Sequence, residues 1–193
     1  MEQLKMYLMR GFTIPELELP EGYSISRYQT EADKQHWLDC CANGQLIDET
    51  IGMEAYDKAI SQLPEIIPER DIFFLDYRGE HIATTTGFLE GDRGRIHMVG
   101  LKSEFRGKGL SKYVLYAALR NILELGDPAC TYLTTDDFRL GAVKLYLNIG
   151  FQPVEYDVGM VERWEALMEI LKVDRLDMLR EDCTPFRTLV RNS

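Results

Sequence analysis

The stretch Val99-Gly100-Leu101-Lys102-Ser103-Glu104-Phe105-Arg106-Gly107-Lys108-Gly109-Leu110-Ser111 decides how the chain is read. Its start, together with Ile96 and Met98, is apolar enough for a buried strand. Arg106-Gly107-Lys108-Gly109 is a tight, cationic, glycine-rich turn. A helical apolar period opens at Leu110 and continues through Val114, Ala118 and Ile122. Strand, glycine turn and helix together aim backbone N–H groups at an anion, with the positive end of the helix dipole behind them. Gly107 and Gly109 let the backbone approach closely, and Arg106 and Lys108 add charge. The turn lacks Gly-x-x-x-x-Gly-Lys-Ser/Thr, and Lys112 stands where a dinucleotide fingerprint has its third glycine. A capped surface turn is the plainer alternative.

Around this segment the coarse order is clear. Leu4, Met6 and Leu8 suggest a short strand or arm, followed by an extended segment around Pro15 and Pro20. Tyr23 to Tyr28 alternates as a strand. Thr30 is a candidate N-cap, with Asp33 three residues on, for a helix running to about Ala42. A second helix is expected from Met53 to Leu63. Asp71–Tyr77, Ile82–Leu89 and a strand ending at Leu101 form an antiparallel meander, turned by Arg78-Gly79 and by Gly91-Asp92-Arg93-Gly94. The helix from Leu110 to Leu125 leads to a strand at Cys130–Thr135. A strand, a crossover helix and a strand imply parallel pairing of these two strands. Arg139–Asn148 and Val161–Leu171 read as helices and Gln152–Tyr156 as a last core strand. The tail after Val173 has no clear pattern.

The whole chain bounds the possibilities. Its 193 residues suffice for one domain with a substantial core. The formal net charge of −10 argues against nucleic acid as a partner. No apolar run approaches the ~20 residues of a membrane span. Cys40, Cys41, Cys130 and Cys183 form no Cys-x-x-Cys pair, and no histidine stands at zinc spacing, so reduced thiols, a cytoplasmic protein and no metal are expected.

The Arg106–Ser111 loop resembles the acyl-CoA pyrophosphate loop of the GNAT family of N-acetyltransferases, written Gln/Arg-x-x-Gly-x-Gly/Ala. Arg106, Gly109 and Ser111 fill its three fixed places. A second stretch, Leu133 to Phe151, resembles that family's other signature, Asn-x-x-Ala-x-x-x-Tyr-x-x-x-Gly-Phe. Ala142, Tyr146, Gly150 and Phe151 match in register, and Arg139 replaces the Asn. The resemblance covers about residues 23–157, with a helical extension over about 160–193.

That resemblance implies a single α/β domain over 1–193. Its mixed, mostly antiparallel sheet would carry a parallel splayed strand pair, parting at Leu101 and Tyr132, with helices on both sides. It implies acetyl-CoA as cosubstrate, with pantetheine along Val99 and Leu101. The pyrophosphate would lie on Arg106, Gly107, Lys108, Gly109, Leu110 and Ser111, and Arg139 is a candidate CoA phosphate contact. The reaction would be direct attack by a small-molecule amine. Tyr146 would be the general acid. His97 is a candidate base, because period-two alternation puts it on one face with Val99 and Leu101. Glu90, at a strand end, is the other candidate. Asp136 and Asp137 could orient an amine or shape a turn, and Asp48, Glu49, Glu54 and Asp57 read as a solvated helix face. Two other readings stay open: a noncatalytic acyl-CoA-binding module, and a mycothiol synthase-like acetyltransferase, which the His97-Met98-Val99 strand and the Trp164 helix resemble. Such domains often pair, so the tail is a candidate homodimer contact.

Overall fold

The computed structural model describes residues 2–48 and 50–191; Glu49 lies outside them. The protein is a mixed α/β structure dividing into two compact units, residues 13–128 and residues 1–12 with 129–193.

The first unit is built on four antiparallel strands in the order β2 (Tyr23–Arg27), β3 (Ile72–Tyr77), β4 (Glu80–Glu90) and β5 (Arg93–Leu101). The β3–β4 turn is the two-residue Arg78-Gly79, both at positive φ as a tight hairpin requires. The β4–β5 turn is only Gly91-Asp92, because Arg93 and Gly94 already pair as β5. Helix α1 (Asp33–Asn43) packs on β4 and β5, and α4 (Ser111–Leu125) packs on β4. They cover opposite faces. A Cβ on Gly100 would meet the Cys40 carbonyl of α1 at 3.0 Å, whereas one on Gly87 would meet the Ala118 carbonyl of α4 at 2.7 Å. Gly100 pairs with Thr84, and alternation along β4 turns Thr84 and Gly87 to opposite faces.

The α1 start corrects the expected cap. Thr30 supplies no side-chain cap; Asp33 instead accepts the N–H groups of Gln29 (2.7 Å) and Thr30 (2.9 Å). The expected Met53–Leu63 helix is α2 (Met53–Tyr56) running into a π-turn over Asp57–Ser61. A short α3 (Pro68–Asp71) opens on proline. Its Asp71 is fully buried. It accepts the Arg70 guanidinium at 2.7 and 2.9 Å, the Ile67 N–H at 2.8 Å and the Asn121 amide of α4 at 3.2 Å. Asn121 also donates to the Gly87 carbonyl, fastening α4 to β4.

Gly87 is therefore a point of contact rather than a hinge. Gly87→Ala is expected to destabilise the protein by about 1–3 kcal/mol through overpacking against Ala118. Gly141→Ala, where nothing described lies within 4 Å of the new methyl, should cost nothing. Denaturant melts of the two variants decide this.

The second unit orders its strands β6 (Cys130–Thr135), β1 (Leu4–Met9), β7 (Gln152–Glu155), β8 (Arg175–Arg180) and β9 (Pro185–Val190). β7 and β8 pair parallel; the other neighbours are antiparallel. Helices α5 (Leu140–Ile149) and α6 (Met160–Leu171) complete it. Two expectations change here. The core does not begin at 23: β1 lies between β6 and β7, and Leu4, Met6 and Tyr7 are wholly buried. The extension is not purely helical: after α6 it forms the β8–β9 hairpin. Leu176, Met178 and Leu179 are buried, while Arg175–Asp177 and Arg191–Asp174 ion pairs dress its solvent side. The strands expected to splay, β5 and β6, belong to different units.

Candidate active site

After β5 the chain makes a 3-10 turn over Ser103–Phe105, then the basic loop, then α4. Gly107 (φ 76°) and Gly109 (φ 67°) both take the left-handed conformation that favours glycine. Nothing described lies within 4 Å of where their Cβ atoms would be. The open backbone faces the amino end of a fifteen-residue helix, and among the described residues α4 has no acid in its first turn. Leu110 is buried and anchors the start of the helix. Arg106, Gly107, Lys108 and Gly109 are exposed and Ser111 half-buried. Backbone N–H groups at a helix amino end together with two basic side chains can hold an anion. It fits a phosphate-bearing group.

The loop is braced by residues the sequence reading did not single out. Arg106 gives one guanidinium N–H to the Gly44 carbonyl at the end of α1 (3.0 Å), and Asn43 accepts the Ser103 N–H at 2.6 Å. Part of the Arg106 fork is thus structural. Asn43 and Gly44 end α1, and their use as a loop brace is not visible in the sequence.

Val99 and Leu101 lie on β5 just before the loop, but His97 does not share their face. Thr84 pairs with Gly100 and Thr86 with His97, so β5 spends one more residue than β4 on that interval. Met98 sits there at φ 55°. This β-bulge breaks the period of two. Met98 packs against the core cluster that holds Trp37 and Tyr56, Gly100 also faces α1, and Val99 and Leu101 turn to the other side.

His97 donates from Nε2 to the Ala59 carbonyl at 3.0 Å. Burial, then the neighbouring Arg95 charge, pushes its pKa down to about 4. A histidine that weakly basic is poorly suited to take a proton from an amine. It also has a consequence for stability. The unfolded chain binds a proton near pH 6.5 that the folded chain refuses until about pH 4. The neutral ring's contribution is therefore complete above pH 6.5 and lost as pH falls toward 4, at most about 3 kcal/mol. His97→Gln keeps the donor to Ala59 and removes the titration. Its unfolding free energy should fall less than the wild type's between pH 7 and 4.5, as urea melts at both pH values would show.

Glu90 is placed elsewhere. It accepts Arg95 Nη1 at 2.7 Å and pairs with Arg93 at the hairpin end of β4–β5. From Arg93 to Leu101 the strand spans roughly 26 Å, so Glu90 is distant from the loop.

In the second unit, Tyr146 of α5 is 5 % exposed and meets Phe151 edge-on at 5.9 Å. Burial raises its phenol pKa well above the ordinary 10, opposed only by the Arg139 charge. Gly150 closes α5 at φ 113°. Arg139 precedes α5, held by Asp136 at 3.0 Å and lying over the exposed Phe138 ring. Asp136 also accepts the Gln3 amide, and Asp137 is bound by the Arg163 guanidinium, which holds its carboxyl below the usual range. Both acids do structural work. Asp48 accepts from Thr50, and Asp57 from Ser61, so these too are locally engaged.

The family model described as "Acetyltransferase (GNAT) family" matches residues 8–151, and the chain belongs to that family. Mycothiol acetyltransferase from Thermobispora bispora is 28% identical over 159 residues, covering 75% of this chain and 52% of that protein. The chain thus spans about half the length of the mycothiol acetyltransferases it matches. The uncharacterized N-acetyltransferase YjgM of Escherichia coli is 27% identical over 128 residues, 63% of this chain and 75% of that one. A GCN5-related N-acetyltransferase from Sphaerobacter thermophilus superposes with a TM-score of 0.59 at 18% identity, covering 78% of this chain and 47% of its own. At that identity the likeness concerns the fold. Among the described residues no helix is long and apolar enough to cross a membrane.

Proposed function

We propose that the chain transfers an acetyl group from acetyl-CoA to a primary amine of a small-molecule or amino acid-like acceptor. The observation that carries this reading is the Arg106–Ser111 loop. It pairs two left-handed glycines and two basic side chains with a helix amino end that has no acid in its first turn. Acetyl-CoA supplies an activated acyl group and a thiolate leaving group. The backbone from Gly107 to Ser111 holds its pyrophosphate, with Lys108 and the unbraced part of Arg106 adding charge. Val99 and Leu101 lie along the strand leading to the loop and line the pantetheine. The neutral amine attacks the thioester carbonyl, and the C–S bond breaks as the C–N bond forms. Tyr146, kept protonated because burial disfavours the phenolate, gives its proton to the departing sulfur. The nitrogen's surplus proton passes to water, from which Tyr146 is reprotonated. Positioning supplies much of the remaining acceleration. His97 serves as a packed strut tying β5 to the π-turn, and Glu90 as an ion-pair partner.

The presence of Tyr146 favours an enzyme over a binding module. A mycothiol-type acceptor is a second reading, favoured by the match to half of the mycothiol acetyltransferases. The test is acetyl-CoA-dependent thiol release across a panel of amines that includes a mycothiol-type acceptor. Amine-dependent release supports the proposal. Tight CoA binding with no release for any acceptor favours the binding module.

A further inference from the structure

Two of the chain's three histidines meet at one place in the first unit, and neither is among the residues assigned to acetyl transfer. His36 stands three residues after Asp33 on α1, and His81 lies near the start of β4. One ligand atom from each of Asp33, His36 and His81 lies within 4.8 Å of the others. The arrangement is oriented, not merely crowded. His81 Nδ1 is bound to the buried Asp76 carboxylate at 2.5 Å. That contact fixes the tautomer and aims Nε2 at Asp33, whose Oδ1 is 3.8 Å away. Asp33 is fixed in turn. Its Oδ2 accepts the Gln29 and Thr30 N–H groups, which leaves Oδ1 toward His81. The Phe74 ring lies at 4.4 Å from the His81 ring, and the exposed His36 meets its edge at 4.7 Å.

We propose that Asp33, His36 and His81 bind a divalent transition-metal ion, zinc by preference, with Asp76 positioning His81. Imidazole and carboxylate ligands suit zinc, and a carboxylate behind a ligating histidine is the usual outer partner of such sites. Tetrahedral zinc with ligand bonds of about 2.0–2.1 Å sets its ligand atoms about 3.4 Å apart. The pocket closes onto the ion by roughly an ångström, and the exposed His36 makes that movement. Three protein ligands leave a fourth position for water. The ion fastens α1 to β4. The far end of α1 braces the loop through Asn43 and Gly44, so the metal stiffens the support of that loop.

The experiment uses full-length, tag-free protein stripped with a chelator. Zinc chloride is titrated by calorimetry, and cobalt(II) is substituted to read the ligand type. The expected result is one zinc per chain and a higher melting temperature that chelator reverses. His36→Gln, at an exposed position, should fold as the wild type does and weaken binding at least 10-fold. His81→Gln should behave likewise. Asp76→Asn should weaken it by about 10–100-fold. His97→Gln should leave it unchanged. Cobalt should show nitrogen and oxygen ligation. No saturable one-to-one binding would overturn the proposal, leaving His81 as a hydrogen-bond partner of Asp76. Equal binding by His36→Gln and wild type would also overturn it, as would a thiolate-to-cobalt band, which places the ion on cysteines.

Discussion

Tyr146→Phe is expected to lower kcat by about 10²-fold or more while leaving the KM for acetyl-CoA within about 2-fold. The magnitude is that of a positioned general acid. The substitution removes one oxygen and keeps the ring that meets Phe151, so the packing of α5 is preserved. Burial holds the phenol protonated, which is the form an acid must have. The rate should therefore show no loss from Tyr146 ionisation below about pH 10. Steady-state kinetics with a matched melting curve are sufficient. An unchanged kcat would mean that Tyr146 is only a core aromatic.

Gly109→Val is expected to show the opposite pattern, with KM for acetyl-CoA up by about 10-fold or more and kcat at saturation little changed. Gly109 sits at φ 67°, and a β-branched residue there is strained by about 1–2 kcal/mol. Nothing described lies within 4 Å of the new side chain, so the effect is not a clash. The loop relaxes out of its anion-binding form while Leu110 and α4 stay packed. Binding calorimetry with acetyl-CoA and the melting temperature of the free variant separate the two causes. A large loss of stability without ligand would assign Gly109 to folding, and unchanged affinity would remove it from the site.

What could be read from the sequence was what local patterning encodes. β6 at Cys130–Thr135 and α4 were legible because apolar period and helix stops agree. The glycine turn at Arg106–Gly109 was legible because its glycines and cations are adjacent in the chain. Features set by long-range contact were not. The face of His97 was misread because the bulge at Met98 depends on β4 pairing. The β8–β9 hairpin was missed because its buried Leu176, Met178 and Leu179 break alternation at an irregularity, among charges that pair only once folded. β1 was read as a short strand or arm, and six residues do not reveal that the strand will be paired on both edges. Asp33 and His36 were visible as neighbours on a helix, but His81 and Asp76 come from a distant hairpin. Likewise, the Cys130 and Cys183 sulfurs come within 3.4 Å although 53 residues separate them in the chain.

The most direct test of the central claim is the melting temperature with saturating acetyl-CoA, against free CoA and ATP. At about a hundred times its dissociation constant, a ligand of the folded state adds roughly 2.7 kcal/mol. For a chain of this size an increase of about 5–10 °C is expected with acetyl-CoA, a smaller one with CoA and none with ATP. No shift with any CoA species would contradict it, and the Arg106–Ser111 loop would then be a structural turn.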